Sequence, residues 1–166
     1  MTLSFKEDHI SQIPALMMLE KVGYTYLTPA EAMELRGGNT SNVLLEPILR
    51  EQLAKINTVQ VSSQRTTVFS EQNITAGIEA LRNLPMAEGF MTASQVAYDL
   101  LTAGKTLEQI VDGDKKSYVM QYIDWKHIEN NAFHVTEEFA VSRTGMSDTY
   151  RPDIVLFVNG IPLCVI

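Results

Sequence analysis

The sequence has 166 residues, of which 45% are hydrophobic and 20% are charged, proportions that are ordinary for a globular protein with a core of its own. Its formal net charge of −7 argues against a free-standing protein that coats nucleic acid, because such proteins carry a basic surface. No run of 18 apolar residues and no secretory signal occurs, so we expect neither a membrane span nor export. A single cysteine, Cys164, leaves no internal disulfide and suits the reducing cytoplasm, where we place the protein.

The beginning of the sequence predicts a helix. Ser4 and Glu7 have the spacing of a capping box at a helix start, and Gly23 is a typical helix stop. Pro14 is expected to bend this helix or to move its start. The apolar residues that recur at helical intervals up to Gly23 are Ile10, Ile13, Leu16, Met17 and Leu19.

More helix signals follow in the first half. Thr28, Pro29 and Glu31 mark a second start, with proline at the first helical position. Apolar residues at helical spacing predict a helix over residues 42–56 and another over residues 70–84. Two pairs with capping-box spacing, Thr92 with Gln95 and Thr106 with Gln109, predict two further short helices.

After Gly113 the pattern becomes typical of β-strands. Residues 117–125 and 133–141 are rich in aromatic and β-branched residues. Two apolar runs, 153–158 and 161–166, flank Asn159-Gly160, a dipeptide that favours a hairpin turn. The first run is apolar almost throughout and is expected in the middle of a sheet. The sequence therefore predicts an α/β (α+β) fold with a helical N-terminal half followed by a mixed β-sheet.

Ile166 stands inside the second strand of this predicted hairpin, and no polar cap follows it. We therefore expect residues 1–166 to form one domain that is incomplete at its C-terminus and belongs to a longer chain.

Asp153 is the strongest candidate in the sequence for a metal-binding or catalytic residue. Pro152 cannot donate a hydrogen bond to a sheet, so it belongs before the strand and places Asp153 at the strand's mouth. A two-residue turn would pair position 153 with 166, whereas a three-residue loop would pair it with position 167. A carboxylate there would share a metal ion with Asp153, and a lysine two residues later would point to the same face. Mg²⁺ prefers such oxygen ligands, and metal-assisted phosphodiester hydrolysis needs this geometry.

The run RPDIVLFVNGIPLCVI, residues 151–166, resembles the strand pair of the PD-(D/E)xK nuclease motif in the R subunits of type I restriction enzymes. The resemblance extends to residues 122–135 and to the pattern from Glu7 to the Gly23-Tyr24 helix end. It implies a restriction-endonuclease-like core in which Asp153 is a catalytic residue and metal ligand. It also implies that Glu7 is a catalytic residue lining the same pocket, and that the motif's glutamate and lysine fall after Ile166. We therefore expect an Mg²⁺-dependent endonuclease as the parent and an inactive fragment here.

The resemblance also implies partners. The substrate would be double-stranded DNA, and the methyltransferase and specificity subunits of a type I restriction complex would supply recognition. ATP would serve a helicase-like motor in the parent protein, C-terminal to this fragment, and not the fragment itself. Cleavage is expected to be largely independent of sequence, because nothing in the chain resembles a recognition helix or a zinc finger.

Several residues keep an ordinary structural alternative. Glu7 could close a capping box with Ser4 instead of, or as well as, lining a catalytic pocket. Asp153 could accept a backbone hydrogen bond at a strand end. Arg151 could contact a DNA phosphate, but we expect it to be a solvated side chain beside a strand. Cys164 is expected to be a small buried hydrophobic residue.

The function has two alternatives as well. The helical first half could be a non-catalytic docking module for the motor or the methyltransferase subunits, which it would contact through the exposed faces of helices 42–56 and 70–84. A stand-alone nuclease of the same superfamily, without a motor, is the third possibility.

Overall fold

The computed structural model describes residues 7–62, 65–142 and 148–166, and the side chains of residues 7–11 and of Ser62 lie outside this description. The chain divides into two compact units. The first unit combines the two ends of the chain, Met1–Leu45 and Phe133–Ile166, and the second is its middle, Glu46–Ala132. The predicted α+β class is confirmed.

Five α-helices lie in the described part of the chain: α1 (Glu7–Val22), α2 (Pro29–Leu35), α3 (Glu46–Ile56), α4 (Glu71–Arg82) and α5 (Phe90–Ala103). The strands in the same part are β1 (Thr25–Tyr26), β2 (Thr58–Ser62), β3 (Arg65–Val68), β4 (Lys105–Val111), β5 (Asp114–Met120), β6 (Phe133–Glu137), β7 (Val141–Ser142), β8 (Thr149–Tyr150), β9 (Ile154–Val158) and β10 (Ile161–Val165). No helix among the described residues is long and apolar enough to cross a membrane.

The first unit is built on a four-stranded sheet with the order β1-β6-β9-β10. β1 runs parallel to β6, whereas β9 is antiparallel to both β6 and β10. Ile154, Val155 and Phe157 of β9 are buried, so the predicted central strand is confirmed. Helix α1 packs Leu16 against Val135 and Ile154, which places this helix on one face of the sheet.

Helix α1 ends as its sequence predicts. Gly23 has φ +114°, its N–H donates to Glu20, and the N–H of Tyr24 donates to Leu19, the two bonds of a Schellman motif. Two of the apolar residues that recur along this helix, however, are exposed: Ile13 by 48% and Met17 by 54%. Helix α1 packs against the sheet through Leu16, Ala15 and Leu19. At about 100° per residue, positions 13 and 17 lie roughly 110° and 150° around the helix from the middle of that face.

Helix α2 confirms the second predicted start. Thr28 is its N-cap, and its hydroxyl accepts the N–H of Glu31 while the Glu31 carboxylate accepts the N–H of Thr28. Pro29 is the first helical residue, where its missing N–H costs nothing.

The second unit is held by an α3–α4 pair and two hairpins. The apolar faces predicted for residues 42–56 and 70–84 are largely buried, with Leu49, Leu53, Ile74 and Ile78 at most 1% exposed. Helix α3 starts at Glu46, later than predicted, and Ser70 caps α4 through the N–H of Asn73. The β2–β3 hairpin was not predicted, so the first half of the chain is less purely helical than expected.

The short helix predicted from Thr106 and Gln109 is wrong. Both residues lie in β4, which pairs with β5 along its whole length. Asp112 (φ +53°) and Gly113 (φ +88°) form the two-residue turn between them, a dipeptide that favours hairpins as strongly as Asn-Gly. The helix predicted from Thr92 is confirmed as α5, although it begins at Phe90.

Two predicted strands are shorter than expected. The strand predicted over 117–125 ends at Met120, and the strand predicted over 133–141 ends at Glu137. Glu138 has φ +51°, a left-handed conformation that interrupts extended backbone. The chain turns at this residue, directly beside the start of β9.

Candidate active site at the start of β9

Asp153 lies directly before the first residue of β9, between the buried Pro152 and the buried Ile154. Its side chain is exposed, and its backbone carbonyl accepts the N–H of Glu138 at 3.1 Å. Within the described part of the chain, its carboxylate forms no ion pair. Asp153 therefore lies at the start of a central strand, where its backbone is held by a hydrogen bond and its side chain is exposed.

The hairpin that follows Asp153 has the two-residue turn of the first expected connection and, at Asp153, the register of the second. Asn159 (φ +52°) and Gly160 (φ +80°) form a two-residue turn that pairs Val158 with Ile161. A bulge between Pro162 and Cys164 then adds one residue to β10, so that Val155 pairs with Val165. Ile154 and Ile166 exchange both backbone hydrogen bonds, at 3.2 and 2.9 Å. One step farther, the register places Asp153 opposite the position after Ile166.

Two glutamates at the end of β6 lie next to this strand mouth and have different partners. Glu137 pairs with Ile154 across the sheet, and its Oε1 accepts the hydroxyl of Tyr26 at 2.8 Å. Burial, together with this bond to Glu137, raises the pKa of Tyr26 to about 12. Glu138 instead accepts a hydrogen bond from Arg151 at 3.3 Å. Arg151 was expected to be only solvated, and it is half of an exposed ion pair.

A small cavity of about 200 Å³ lies in the same unit, lined by Pro29, Met33, Arg36, Glu138, Phe139, Ala140 and Arg151. Arg36 is only 2% exposed, and its guanidinium lies 4.1 Å from the centre of the Phe139 ring. Its Nη2 donates to the carbonyl of Ala140, whereas Nε and Nη1 are buried and have no hydrogen-bond partner among the described residues. Burial lowers the pKa of Arg36. Sequence analysis missed this residue, because no pattern around it predicts a buried arginine.

Glu7 is the first residue of α1, but its side chain lies outside the described residues, as does that of Ser4. Neither the catalytic nor the capping interpretation of Glu7 is therefore tested. Among the described residues, no group of three or more His, Cys, Asp or Glu side chains could hold a metal ion.

Two other residues, Cys164 and His134, lie on strands of the same sheet. Cys164 is exposed, so its expected burial is wrong: it lies on β10, the outer strand of the sheet among the described residues. His134 lies in β6, where it is half-buried and where its Nδ1 has no hydrogen-bond partner in the part of the chain that the structure describes. Burial lowers the pKa of this imidazole.

The second unit has its own cleft of about 440 Å³, lined by Ile56, Thr102, Gln121, Ile123, Asp124, Trp125, Lys126 and His127. Asp124 accepts a side-chain bond from Asn130 and the backbone N–H groups of Lys126 and His127, and these bonds lower the pKa of its carboxyl. Because this carboxylate is used to hold a loop, it is a structural group and not a free ligand.

Comparisons with known proteins identify relatives over nearly the whole chain. The family model described as type I restriction enzyme R protein N terminus matches residues 4–166. The type I restriction enzyme HindI endonuclease subunit of Haemophilus influenzae is 28% identical over 164 residues, which cover 96% of this chain and 14% of that protein. Two Methanocaldococcus jannaschii proteins, named for the type I restriction endonuclease subunits MjaIXP and MjaVIIIP, are 24% and 30% identical.

These two matches cover 96% and 89% of this chain, but only 15% and 13% of the relatives. The chain thus spans about one seventh of the length of the curated relatives that it matches. No solved structure matches the chain.

Proposed function

The chain belongs to the family of type I restriction enzyme R protein N-terminal regions, and we propose that it is the region that hydrolyses phosphodiester bonds of double-stranded DNA with Mg²⁺. In this proposal Asp153 is a metal ligand. The observation that carries the proposal is the hairpin register, which sets Asp153 opposite the position that follows Ile166. The relatives are named as endonuclease subunits, which supports the same reaction class.

The backbone geometry of the strand pair supports a shared ligand site. Ile154 and Ile166 form a hydrogen-bonded antiparallel pair, so the next pair along the strands is a non-hydrogen-bonded one. In such a pair the Cα atoms are about 4.5 Å apart and the side chains lie on the same face. A strand that continues past Ile166 therefore brings its next side chain within reach of any ion held by Asp153.

The chemistry of the available groups fits a hard cation. Asp153 offers exposed carboxylate oxygens, the ligand type that Mg²⁺ prefers. When bound, Mg²⁺ would activate water and stabilise charge on the phosphate. The protein's own contribution is position: Pro152 is buried, and the Asp153 carbonyl is bonded to Glu138, so the carboxylate projects from a fixed point.

The test is DNA cleavage by the whole restriction complex with the subunit carrying Asp153→Asn. Loss of one metal ligand removes several kcal/mol of transition-state stabilisation, so we expect cleavage to fall by a factor of about 1000 or more. DNA binding in EDTA should be retained. Asp148→Asn is the matched control, because Asp148 is an exposed aspartate a few residues upstream in the same unit. Cleavage at the wild-type rate by Asp153→Asn would exclude the proposed role.

A docking module is the second candidate, and one observation favours it. A face of α1 away from the sheet exposes Ile13, Met17, Met18 and Val22, between 48% and 73%, and apolar side chains clustered in this way are typical of interaction surfaces. Under this alternative, Met17→Ser combined with Met18→Ser would prevent complex assembly, while Asp153→Asn would leave cleavage unchanged. The nuclease proposal predicts the opposite result for Asp153.

A further inference from the structure

Arg36 is a buried cation whose hydrogen bonds are incomplete. Its contacts are the Phe139 ring, the carbonyl of Ala140 and, at 3.7 Å, the sulfur of Met33. None of these is an anion, and no carboxylate pairs with Arg36 within the described residues. A buried guanidinium with two unbonded nitrogens, which carry three N–H groups between them, is costly unless an acceptor is supplied. The cavity that Arg36 lines has room for such an acceptor.

The same cavity carries an excess of positive charge. Arg36 and Arg151 both line it, and Glu138 is the one acidic side chain among its lining residues. Glu138 already accepts a bond from Arg151 and neutralises one of the two cations. One positive charge therefore remains, in a chain whose formal net charge is −7. A cavity of about 200 Å³ holds a phosphate group, and guanidinium forks bind phosphate oxygens well.

The cavity adjoins the candidate active site through the backbone. Glu138, which lines it, donates its N–H to the carbonyl of Asp153 at 3.1 Å. Arg151 precedes Asp153 by two residues, and the buried Pro152 between them fixes the turn. An anion in the cavity would thus lie next to the strand mouth where Asp153 begins β9. Met33 borders the cavity, and its flexible thioether can move to admit an oxygen atom.

We propose that Arg36 and Arg151 form an anion-binding subsite that takes a backbone phosphate of DNA beside Asp153. This subsite rests on the nuclease function proposed above and adds to it a means of holding the substrate strand. It predicts that DNA affinity depends on these two arginines even when no metal is present.

The experiment measures binding of the full-length subunit to a short fluorescein-labelled duplex in EDTA, by anisotropy at several salt concentrations. Arg151→Gln should weaken binding about fivefold and reduce the slope of log K against log salt by about one, because one phosphate contact is lost. Arg65→Gln is the control. Arg65 is also exposed by 59% and paired with one carboxylate, that of Asp112, but it lies in the second unit. It should change neither quantity.

Arg36 gives a second, more specific variant. Arg36→Lys keeps the charge but loses the planar fork, so it should weaken DNA binding while thermal unfolding shows that the protein is folded. Because this buried site tolerates change poorly, Arg151→Gln carries the test if Arg36→Lys does not fold. Inorganic phosphate is the second probe: it should raise the melting temperature of the wild type above that in chloride of equal ionic strength, and Arg151→Gln should abolish the difference.

Two results would overturn the subsite. In one, Arg151→Gln and Arg65→Gln bind DNA equally well. In the other, Arg151→Gln binds DNA normally but fails to associate with the other subunits, which would identify the anion as a carboxylate of a protein partner. The two proposals fail separately, because binding in EDTA does not require cleavage. If Asp153→Asn still cleaves DNA while Arg151→Gln binds it weakly, the nuclease assignment is wrong and the phosphate contact stands.

Discussion

The hydroxyl of Tyr122 donates a 2.6 Å hydrogen bond to the carbonyl oxygen of Gly77 in the middle of α4. Tyr122 is fully buried, and burial raises the pKa of its phenol, so the hydroxyl stays protonated and can donate. A Cβ atom on Gly77 would lie 2.6 Å from the sulfur of Met120 and 3.7 Å from the Tyr122 hydroxyl. Helix α4 and the segment around Tyr122 therefore meet in close contact.

Tyr122→Phe tests the energy of this contact. The variant keeps the ring but leaves a buried carbonyl without its second partner, and we expect the free energy of unfolding to fall by about 1–2 kcal/mol. Urea denaturation followed by the fluorescence of Trp125, the single tryptophan of the chain, reports on the same unit. Tyr98→Phe, at a site exposed by 63%, should change stability by less than about 0.5 kcal/mol. Equal effects of the two variants would show that the buried hydroxyl adds nothing.

Gly104 and Gly113 differ both in backbone conformation and in the space around them, because Gly104 combines its positive φ with ψ −172°, a region almost confined to glycine. Both have positive φ, +79° and +88°, but a Cβ on Gly104 would lie 2.5 Å from the carbonyl oxygen of Met120, whereas a Cβ on Gly113 would meet nothing within 4 Å. Gly113→Ala should lower the free energy of unfolding by about 1 kcal/mol, which is the usual cost of an alanine in the left-handed backbone conformation. Gly104→Ala should lower the free energy of unfolding by about 3 kcal/mol or more, because the backbone at Met120 must move to make room for the Cβ atom. The same denaturation assay compares them, and similar losses would contradict the predicted collision.

The sequence predicts the elements of this fold better than it predicts their arrangement. Asn159-Gly160 predicts its hairpin, and the two-residue turn is present. Asp112-Gly113 carries an equally strong signal, but the capping-box spacing of Thr106 and Gln109 suggested a helix instead. The two local patterns thus predict different structures for the same segment, and the segment is a strand because β4 pairs with β5 along its whole length.

The sequence predicts those residues of the candidate site that are marked by their neighbours in the chain, and it does not predict those that depend on contacts with distant residues. Asp153 follows from Pro152 and the apolar run after it. Arg36 could not be predicted, because Phe139 and Ala140 approach it from about 100 residues away in the chain. The one-residue bulge in β10, which sets the register at Asp153, also has no clear sequence signal, since Leu163 and Cys164 are ordinary strand residues.

Asn57 ties α3 to the segment that follows β5. Its side chain accepts the N–H of Gln121 at 2.7 Å and donates to the carbonyls of Gln121 at 2.8 Å and Leu53 at 3.0 Å. Asn57→Ala removes these three bonds, one of them buried and two part-buried, and we expect a loss of about 2–3 kcal/mol in the free energy of unfolding. Asn83→Ala, which removes an exposed bond to Glu79, is the control and should cost about 0.5 kcal/mol. A loss at Asn57 no larger than at Asn83 would mean that water replaces these bonds.

His134 should make the stability of the protein fall in mild acid. Burial lowers the pKa of its imidazole in the folded state, whereas the unfolded chain has the ordinary value of about 6.5. Below this pH the unfolded state binds a proton that the folded state does not bind, so the free energy of unfolding decreases as the pH falls. The contribution of His134 is thus present above about pH 6.5 and is lost between that value and the lower pKa of the folded state. His134→Phe should flatten the dependence on pH in this window, measured by urea denaturation at a series of pH values. An unchanged slope in the variant would mean that His134 titrates alike in both states and that the burial of its unbonded Nδ1 carries no energetic consequence.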